Sequence, residues 1–599
     1  MFFTTFSLLS EQEVNAKVIA QPRAQSGVGY CKRLAGKSLK LKLAGEFAPS
    51  QLDYTFKDEA ALTVIENGKS YDAPYAAVSL GRVTLFTHLI PGTSRGWHIV
   101  YDTETELVTA FETWFGVEVP VGGDLFGGTP TGTRQIYREV QRQWYFGYND
   151  KGQAAPEKTH TFTNRIEGRG LYWKFDSGYE KLTFFPSVIC STTVDLSDPE
   201  GAGGITMTTP SDYIKIDDEY YIYTSWEVEF SGASSIEILN FFDMKAAGLR
   251  FGLDEKDTID YCLHKADIEI TGDAAHLEPI GSYGNKGDPL AGMGGAGGGA
   301  KKGARYAYRP MDMDPPMTRE EAMEHAKNQH IFEGGGLMTG GNNLETSEYL
   351  IGKKFKVKLD GEYHTAAPWS GTKSPIYEYD VISVDKLKWR LPGGTWQEET
   401  YKAFEPAKDI ILFSHMLTGD PDYANLTQAV DFSNGLATTV KAQVGNWHSP
   451  WEIGAHAKFG VLEYGDLVAP FARRHHFSTD LVGKTYAWAY SDNMSSIHVY
   501  SSPESYSWTI FNGENGGGAT WSSPCFYIKL RDDAYIFQWV EENCNGSQGL
   551  VVFNPKILHD GGFFFGVGHR GLSLNVTGAF ARSIGKFDIM KYFDKKINL

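Results

Sequence analysis

Leu34-Ala-Gly-Lys-Ser-Leu-Lys-Leu-Lys-Leu-Ala-Gly-Glu-Phe47 occurs a second time, as Leu350-Ile-Gly-Lys-Lys-Phe-Lys-Val-Lys-Leu-Asp-Gly-Glu-Tyr363, with eight of fourteen positions identical. A chain that restarts itself is read as repeated units, and a site argued in one unit can be checked in the other. Inside the repeat, Leu39, Leu41 and Leu43 alternate with Lys40 and Lys42. Period two is the mark of a strand with one face buried. The correspondence continues: Leu85-Phe-Thr-His-Leu89 is answered by Leu412-Phe-Ser-His-Met416, so His88 recurs as His415. Farther on, Gly168-Arg-Gly-Leu-Tyr-Trp-Lys-Phe175 is answered by Gly483-Lys-Thr-Tyr-Ala-Trp-Ala-Tyr490. Each half therefore has two parts, and each part opens on a Gly before an alternating run.

Other alternating runs lie at Ser211–Asp217, Tyr220–Phe230, Phe526–Arg531 and Tyr535–Trp539, separated by turn signals such as Glu66-Asn-Gly-Lys69 and Asn512-Gly513. Many short strands per unit of about 120 residues predict small antiparallel barrels, which remove exposed sheet edges by closing. The expected fold is mainly β: four barrels in two tandem pairs, at 30–150, 160–283, 346–465 and 470–592. Between the halves, 284–345 contains Gly292-Met-Gly-Gly-Ala-Gly-Gly-Gly, flexible linker chemistry, then a helix from Met317 in which Thr318 and Glu321 have capping-box spacing. The segment Thr131–Tyr148, with Arg134, Arg138, Glu139 and Arg142 before Trp144 and Tyr145, reads as a short helix running into a strand, its charges solvated.

At 599 residues the chain is too long for one core, and 14% aromatic residues with 66 Gly favour β structure. The net charge of −18 disfavours nucleic acid and anionic membrane surfaces as partners. The five Cys are few, odd in number and free of any CxxC, which argues against a disulfide framework or structural zinc. No metal-ligand spacing and no phosphate loop is present. Met1–Ser10 is apolar but lacks a basic flank, and no run of 18 apolar residues occurs, so a cytoplasmic protein is expected. A homodimer is left open.

Ile351-Gly-Lys-Lys-Phe-Lys-Val357, Tyr377-Glu-Tyr-Asp380 and Leu387-Lys-Trp389 resemble the N-terminal domain of the MoaF-like family. Leu481–Tyr490, Ile497-His-Val-Tyr500, Tyr506-Ser-Trp508 and Tyr535-Ile-Phe-Gln-Trp-Val-Glu541 resemble its C-terminal domain. The first half looks like a diverged copy. The resemblance implies calycin-like or lipocalin-like barrels able to hold one small ligand. The last barrel is also distantly similar to phenolic acid decarboxylases, which have a Tyr-x-Tyr strand and a later Trp-x-Glu strand. Here Trp488-Ala-Tyr490 and Trp539-Val-Glu541 stand in their place, with no counterpart of that family's arginine.

Chemistry of that kind needs a carboxylic acid whose pKa is lifted by an apolar wall. Glu541 shares a strand face with Trp539 and Phe537 and is the candidate acid, either inside the barrel or at its rim. Tyr486, Trp488 and Tyr490 form an aromatic face, and His498 and Tyr500 another; His498 is the candidate base for a phenolic proton. In the first half, Trp226-Glu-Val-Glu229 puts Val228 at the Trp-x-Glu position, so that barrel is expected to lack the acid. It has instead Pro91-Gly-Thr-Ser-Arg-Gly-Trp-His98, where Arg95 could clamp a carboxylate with His98 beside it. His88 and His415 belong to a shared scaffold or a shared ligand-binding site. The readings are a lyase acting without metal or cofactor on a small aromatic carboxylic acid, a carrier of small apolar or aromatic molecules, an isomerase or cyclase on the same scaffold, or a purely structural array.

Overall fold

In the computed structural model the chain is described over residues 9–45, 47–121, 132–187, 190–196, 206–227, 232–254, 256–274, 318–334, 341–360, 375–446, 452–492, 494–513, 520–541, 546–568 and 571–593. The Gly-rich segment, Tyr363 and Glu542 lie outside these residues. The fold is mainly β, with a few short helices.

Two eight-stranded antiparallel ladders close without a break. One runs from Arg169–Phe175 to Ile259–Ala274, whose ends pair through Leu171 with Ile270 and Trp173 with Ile268. The other runs from Lys354–Leu359 to Ile453–Glu463, which pair through Val357 and Leu462. The remaining units follow the same strand order with one strand divided. In the first, Lys69–Pro74 and Ala76–Leu80 meet at Tyr75 and do the work of the continuous strand Gln397–Ala407 in the third. In the fourth, Gly571–Thr577 and Phe580–Phe587 together replace Ile259–Ala274 of the second. The strands thus trace two tandem pairs of barrels.

The repeat begins earlier than the sequence motif shows. Glu11–Ala20 is a helix whose Ser10 and Glu13 form a capping box, and Arg319–His325 is a helix capped the same way by Thr318 and Glu321. Each is followed by a short strand that pairs in parallel with the closing strand of the C-terminal barrel of its half: Gln25–Ser26 on Cys262–Leu263, and Gln329–Ile331 on Leu572–Leu574. The helix between the halves therefore opens the second unit.

Within each half the two barrels share an apolar interface. Val83 and Leu85 pack with Ile222, Ile236 and Ile238, and the corresponding Ile410 and Leu412 with Ile536, Leu550 and Val552. The strands Val83–Leu89 and Ile410–Met416 are buried at every position, because one face fills a barrel and the other the interface. The segment expected as a charged helix is the strand Gly132–Asn149. Its Arg142 points into the interface, where it meets Asp212 at 2.8 Å and lies 3.4 Å from the Trp226 ring centroid. A buried charge is tolerated there because an anion and an aromatic face replace its water.

The two C-terminal barrels join the halves. Gly272–Ala274 pairs with Gly585–Phe587, and the hydroxyls of Thr208 and Ser522 meet at 2.6 Å. Gly585 is required at this seam, since a Cβ on it would lie 2.3 Å from the Cα of Ala274. Gly585→Ala is expected to cost about 1–3 kcal/mol in urea unfolding, the range for overpacking. Gly27→Ala, with nothing within 4 Å of its added Cβ, should stay within about 0.5 kcal/mol of the parent.

Candidate functional site

The fourth barrel turns Tyr486, Trp488, Tyr490, Tyr500, Tyr506, Trp508, Phe537 and Trp539 into one buried cluster. Alternation explains it: 486, 488 and 490 share one strand face, and 535, 537, 539 and 541 another. Phe537 and Trp539 stack at 4.7 Å. Glu541 continues that inward face and is buried, which decides between interior and rim. Its carboxylate accepts four hydrogen bonds: from Trp539 Nε1 at 2.6 Å, Trp508 Nε1 at 2.8 Å, Tyr506 Oη at 3.0 Å and Ser523 Oγ at 3.3 Å. Burial lifts the carboxyl to about 7, although these donors oppose the rise.

Tyr490 and His498 meet hydroxyl to Nε2 at 3.3 Å. Burial pushes His498 down to about 3, so the ring is neutral at ordinary pH and serves as a hydrogen-bonding group. An imidazole so hard to charge is a weak base. The buried polar atoms of this interior with no hydrogen-bond partner among the described residues include His498 Nδ1, the Tyr500 hydroxyl and Trp488 Nε1. Asp560, which the sequence reading missed, is also inside. It accepts from the Ala579 amide at 2.7 Å, and burial lifts it to about 8. Charge on Asp560 and on Glu541 acts on Tyr490 and raises its hydroxyl further.

His88 and His415 occupy equivalent interior positions in the N-terminal barrels, each against a tyrosine: Tyr54 at 3.3 Å and Tyr379 at 3.2 Å. His415 Nδ1 donates to the Met416 carbonyl at 2.7 Å, and burial pushes both rings to about 4. They belong to these two barrels and lie apart from Glu541.

Arg95 and His98 do not form a pair. Arg95 immediately precedes the strand Gly96–Asp102 and borders a cleft of about 410 Å³ with Trp97, Phe47, Asn67, Glu66 and Glu112. Its guanidinium contacts Glu112 at 2.5 Å and Glu66 at 3.4 Å, so resident carboxylates occupy the place expected for a substrate's. His98 has the opposite parity to Trp97 and faces the second barrel. There Thr87 and Thr113 hydroxyls hold its two ring nitrogens at 2.6 and 2.9 Å.

The strand register also corrects the reading of the second barrel. Tyr213 pairs with Tyr223 as Tyr527 pairs with Phe537, which aligns Tyr223 with Phe537 and hence Glu227 with Glu541. The acid is present, one residue from where Trp226 seemed to place it. It is neutralised by Arg250, whose two terminal nitrogens meet both Glu227 oxygens.

Tandem antiparallel barrels with aromatic interiors are the fold class that these strands define. Residues 475–586, the fourth barrel, match the family model of the MoaF C-terminal domain, to which this part of the chain is similar. A crystal structure of a protein provisionally assigned as a beta-lactamase from Burkholderia vietnamiensis is 18% identical over 18% of this chain and 96% of its own, with a TM-score of 0.16. That score is too low to bear on the chemistry. No curated protein matches the chain.

The folded carboxyl of Glu541 titrates above its unfolded value, so folding loses free energy as pH rises from about 4.5 to about 7 and the cost stays complete above that. Glu541→Gln removes this cost. The melting temperature of the variant minus that of the parent should therefore rise steadily between pH 5 and pH 8, by several degrees. A difference independent of pH would contradict the burial of an ionisable carboxyl here.

Proposed function

We propose that the fourth barrel is the active site of a lyase that decarboxylates a small aromatic carboxylic acid, with Glu541 as the proton donor. The observation that carries this reading is a buried carboxyl held near neutrality, aimed by four donors into an aromatic interior. A general acid works best when its pKa lies near the operating pH.

For a substrate with an alkene between ring and carboxylate, the acid form of Glu541 gives its proton to the alkene carbon that bears the carboxylate. The alkene electron pair forms the new C–H bond, and the ring spreads the positive charge. The bond to the carboxylate then breaks, its electrons restore the alkene, and carbon dioxide leaves. Glu541, now a carboxylate stabilised by Tyr506, Trp508, Trp539 and Ser523, regains a proton from water. Overall, one carboxylate and one proton become one alkene and one carbon dioxide. His498 Nδ1 and the Tyr500 hydroxyl, without partners among the described residues, are suited to a ring hydroxyl or the departing carboxylate. Neutral His498 orients such a group and does not ionise it.

A carrier of small aromatic molecules is the second reading, because the same unpartnered atoms would equally fix a bound ligand. Carbon dioxide release from 4-hydroxycinnamic acid and related aromatic acids separates the two. A lyase requires turnover in the parent and a loss of about 10²–10⁴-fold in Glu541→Gln with little change in affinity. A carrier shows binding without turnover in both proteins. In a lyase kcat falls as pH rises through about 7, as the acid form of Glu541 is lost. Tyr506→Phe, which removes a donor to the carboxylate, should move that fall to higher pH.

A further inference from the structure

The second barrel has the same strand order as the fourth but a different interior. Register places Lys181 opposite Trp173, where the fourth barrel has Ser496 opposite Trp488. Glu237 stands opposite Tyr223, where the fourth barrel has Val551 opposite Phe537. Glu237 lies over Gly248, where any Cβ would come 2.0 Å from its Oε2; the fourth barrel keeps a glycine, Gly562, opposite Val551.

The other ionised groups of this interior are matched. Arg250 is taken by Glu227 and, at 2.5 Å, by Asp260. Glu237 is bridged by His264 Nε2 at 2.8 and 2.9 Å; burial works to raise its carboxyl, and His264 holds it low. Lys181 is different. It is only 9% exposed, and no ion pair or hydrogen bond to its ammonium occurs among the described residues. Its Nζ lies 4.9 Å from the Trp173 ring and 5.3 Å from the Phe175 ring. It is the second residue after the Asp176–Tyr179 turn, near one end of the barrel. Burial drives it toward the neutral amine, against the fields of Glu237, Glu227 and Asp195. That same acidic surround repels a free anion, so the amine is better matched to an uncharged electrophile.

We propose that Lys181 is an imine-forming lysine, and that the second barrel captures a small aromatic aldehyde or ketone. The Nζ lone pair attacks the carbonyl carbon, and the proton shed by nitrogen passes to the carbonyl oxygen, giving a carbinolamine. Loss of water then leaves a carbon–nitrogen double bond. One amine and one carbonyl become one imine and one water, with no oxidant or reductant. Trp173, Phe175 and Tyr179 supply the apolar wall for the ring, and Glu237, held by His264, is near enough for its charge to act on Lys181. This site is independent of Glu541.

The test is reductive trapping on the full chain with benzaldehyde and sodium cyanoborohydride near pH 6.5, followed by peptide mass mapping. The expected result is a single benzyl group on Lys181, at an occupancy at least about tenfold above the mean of the exposed lysines, which remain protonated at this pH. The enrichment should disappear in urea. In Lys181→Arg, checked for its fold by circular dichroism, the folded protein should show only the exposed-lysine background. Labelling of Lys181 at or below that background in the folded parent overturns the proposal, whether or not the variant folds.

Discussion

Closing an eight-stranded sheet on itself removes water from its centre, and that desolvation governs the rest of this molecule. Once the backbone is satisfied by the ladders, each side chain inside must be apolar, paired or driven from its charged form. All three outcomes occur here. The fourth barrel fills its interior with rings and lifts two carboxyls toward neutrality. The second pairs Arg250 with Glu227 and Glu237 with His264. The first and third hold a neutral histidine against a tyrosine. One backbone constraint thus generates three kinds of chemical interior.

Duplication explains which features are shared and which are free to diverge. The Tyr54–His88 and Tyr379–His415 pairs sit at equivalent points of the two N-terminal barrels, and the apolar interfaces use equivalent strands. Features kept in both copies fit a role in the scaffold. The interiors of the C-terminal barrels differ where chemistry would be decided: Ser496 against Lys181, Val551 against Glu237, and Trp539 against Ser225. The retained acid shows the divergence most clearly, because Glu541 is held by neutral donors and Glu227 by a guanidinium. Neutral donors leave a carboxyl able to gain a proton; a bidentate cation does not.

The strands and the tandem pairing were legible in the sequence because period two survives wherever one face is wet, as in Ser38–Ala44. The reading failed where both faces are dry. Along Gly132–Asn149 the charges of Arg138, Glu139 and Arg142 looked solvated, yet all three are buried. Lys181 and Glu237 escaped notice for the same reason, since an isolated charge in an alternating run reads as outward. Glu541 was legible because its face already carried Phe537 and Trp539. Glu227 was not, because Trp226 stands on the opposite face from Tyr223 and drew the motif off by one residue. The opening helix was hidden by its weak amphipathicity; only the Ser10–Glu13 cap, spaced as Thr318 and Glu321 are, could have marked it.

The seam between the C-terminal barrels adds a further constraint on this arrangement. Gly272–Ala274 and Gly585–Phe587 are the ends of the strands that close the two barrels, and they pair with each other. Phe587 belongs to the aromatic core of the fourth barrel and also lies where a Cβ on Gly170 of the second would fall, 2.6 Å away. Each barrel therefore supplies part of its neighbour's closure, and neither closing strand can shift register without disturbing both. A one-residue slip would turn Ala581 and Ser583 to the other face and carry Phe587 out of the core. Holding the two barrels in one continuous sheet therefore binds their unlike interiors to a common backbone register.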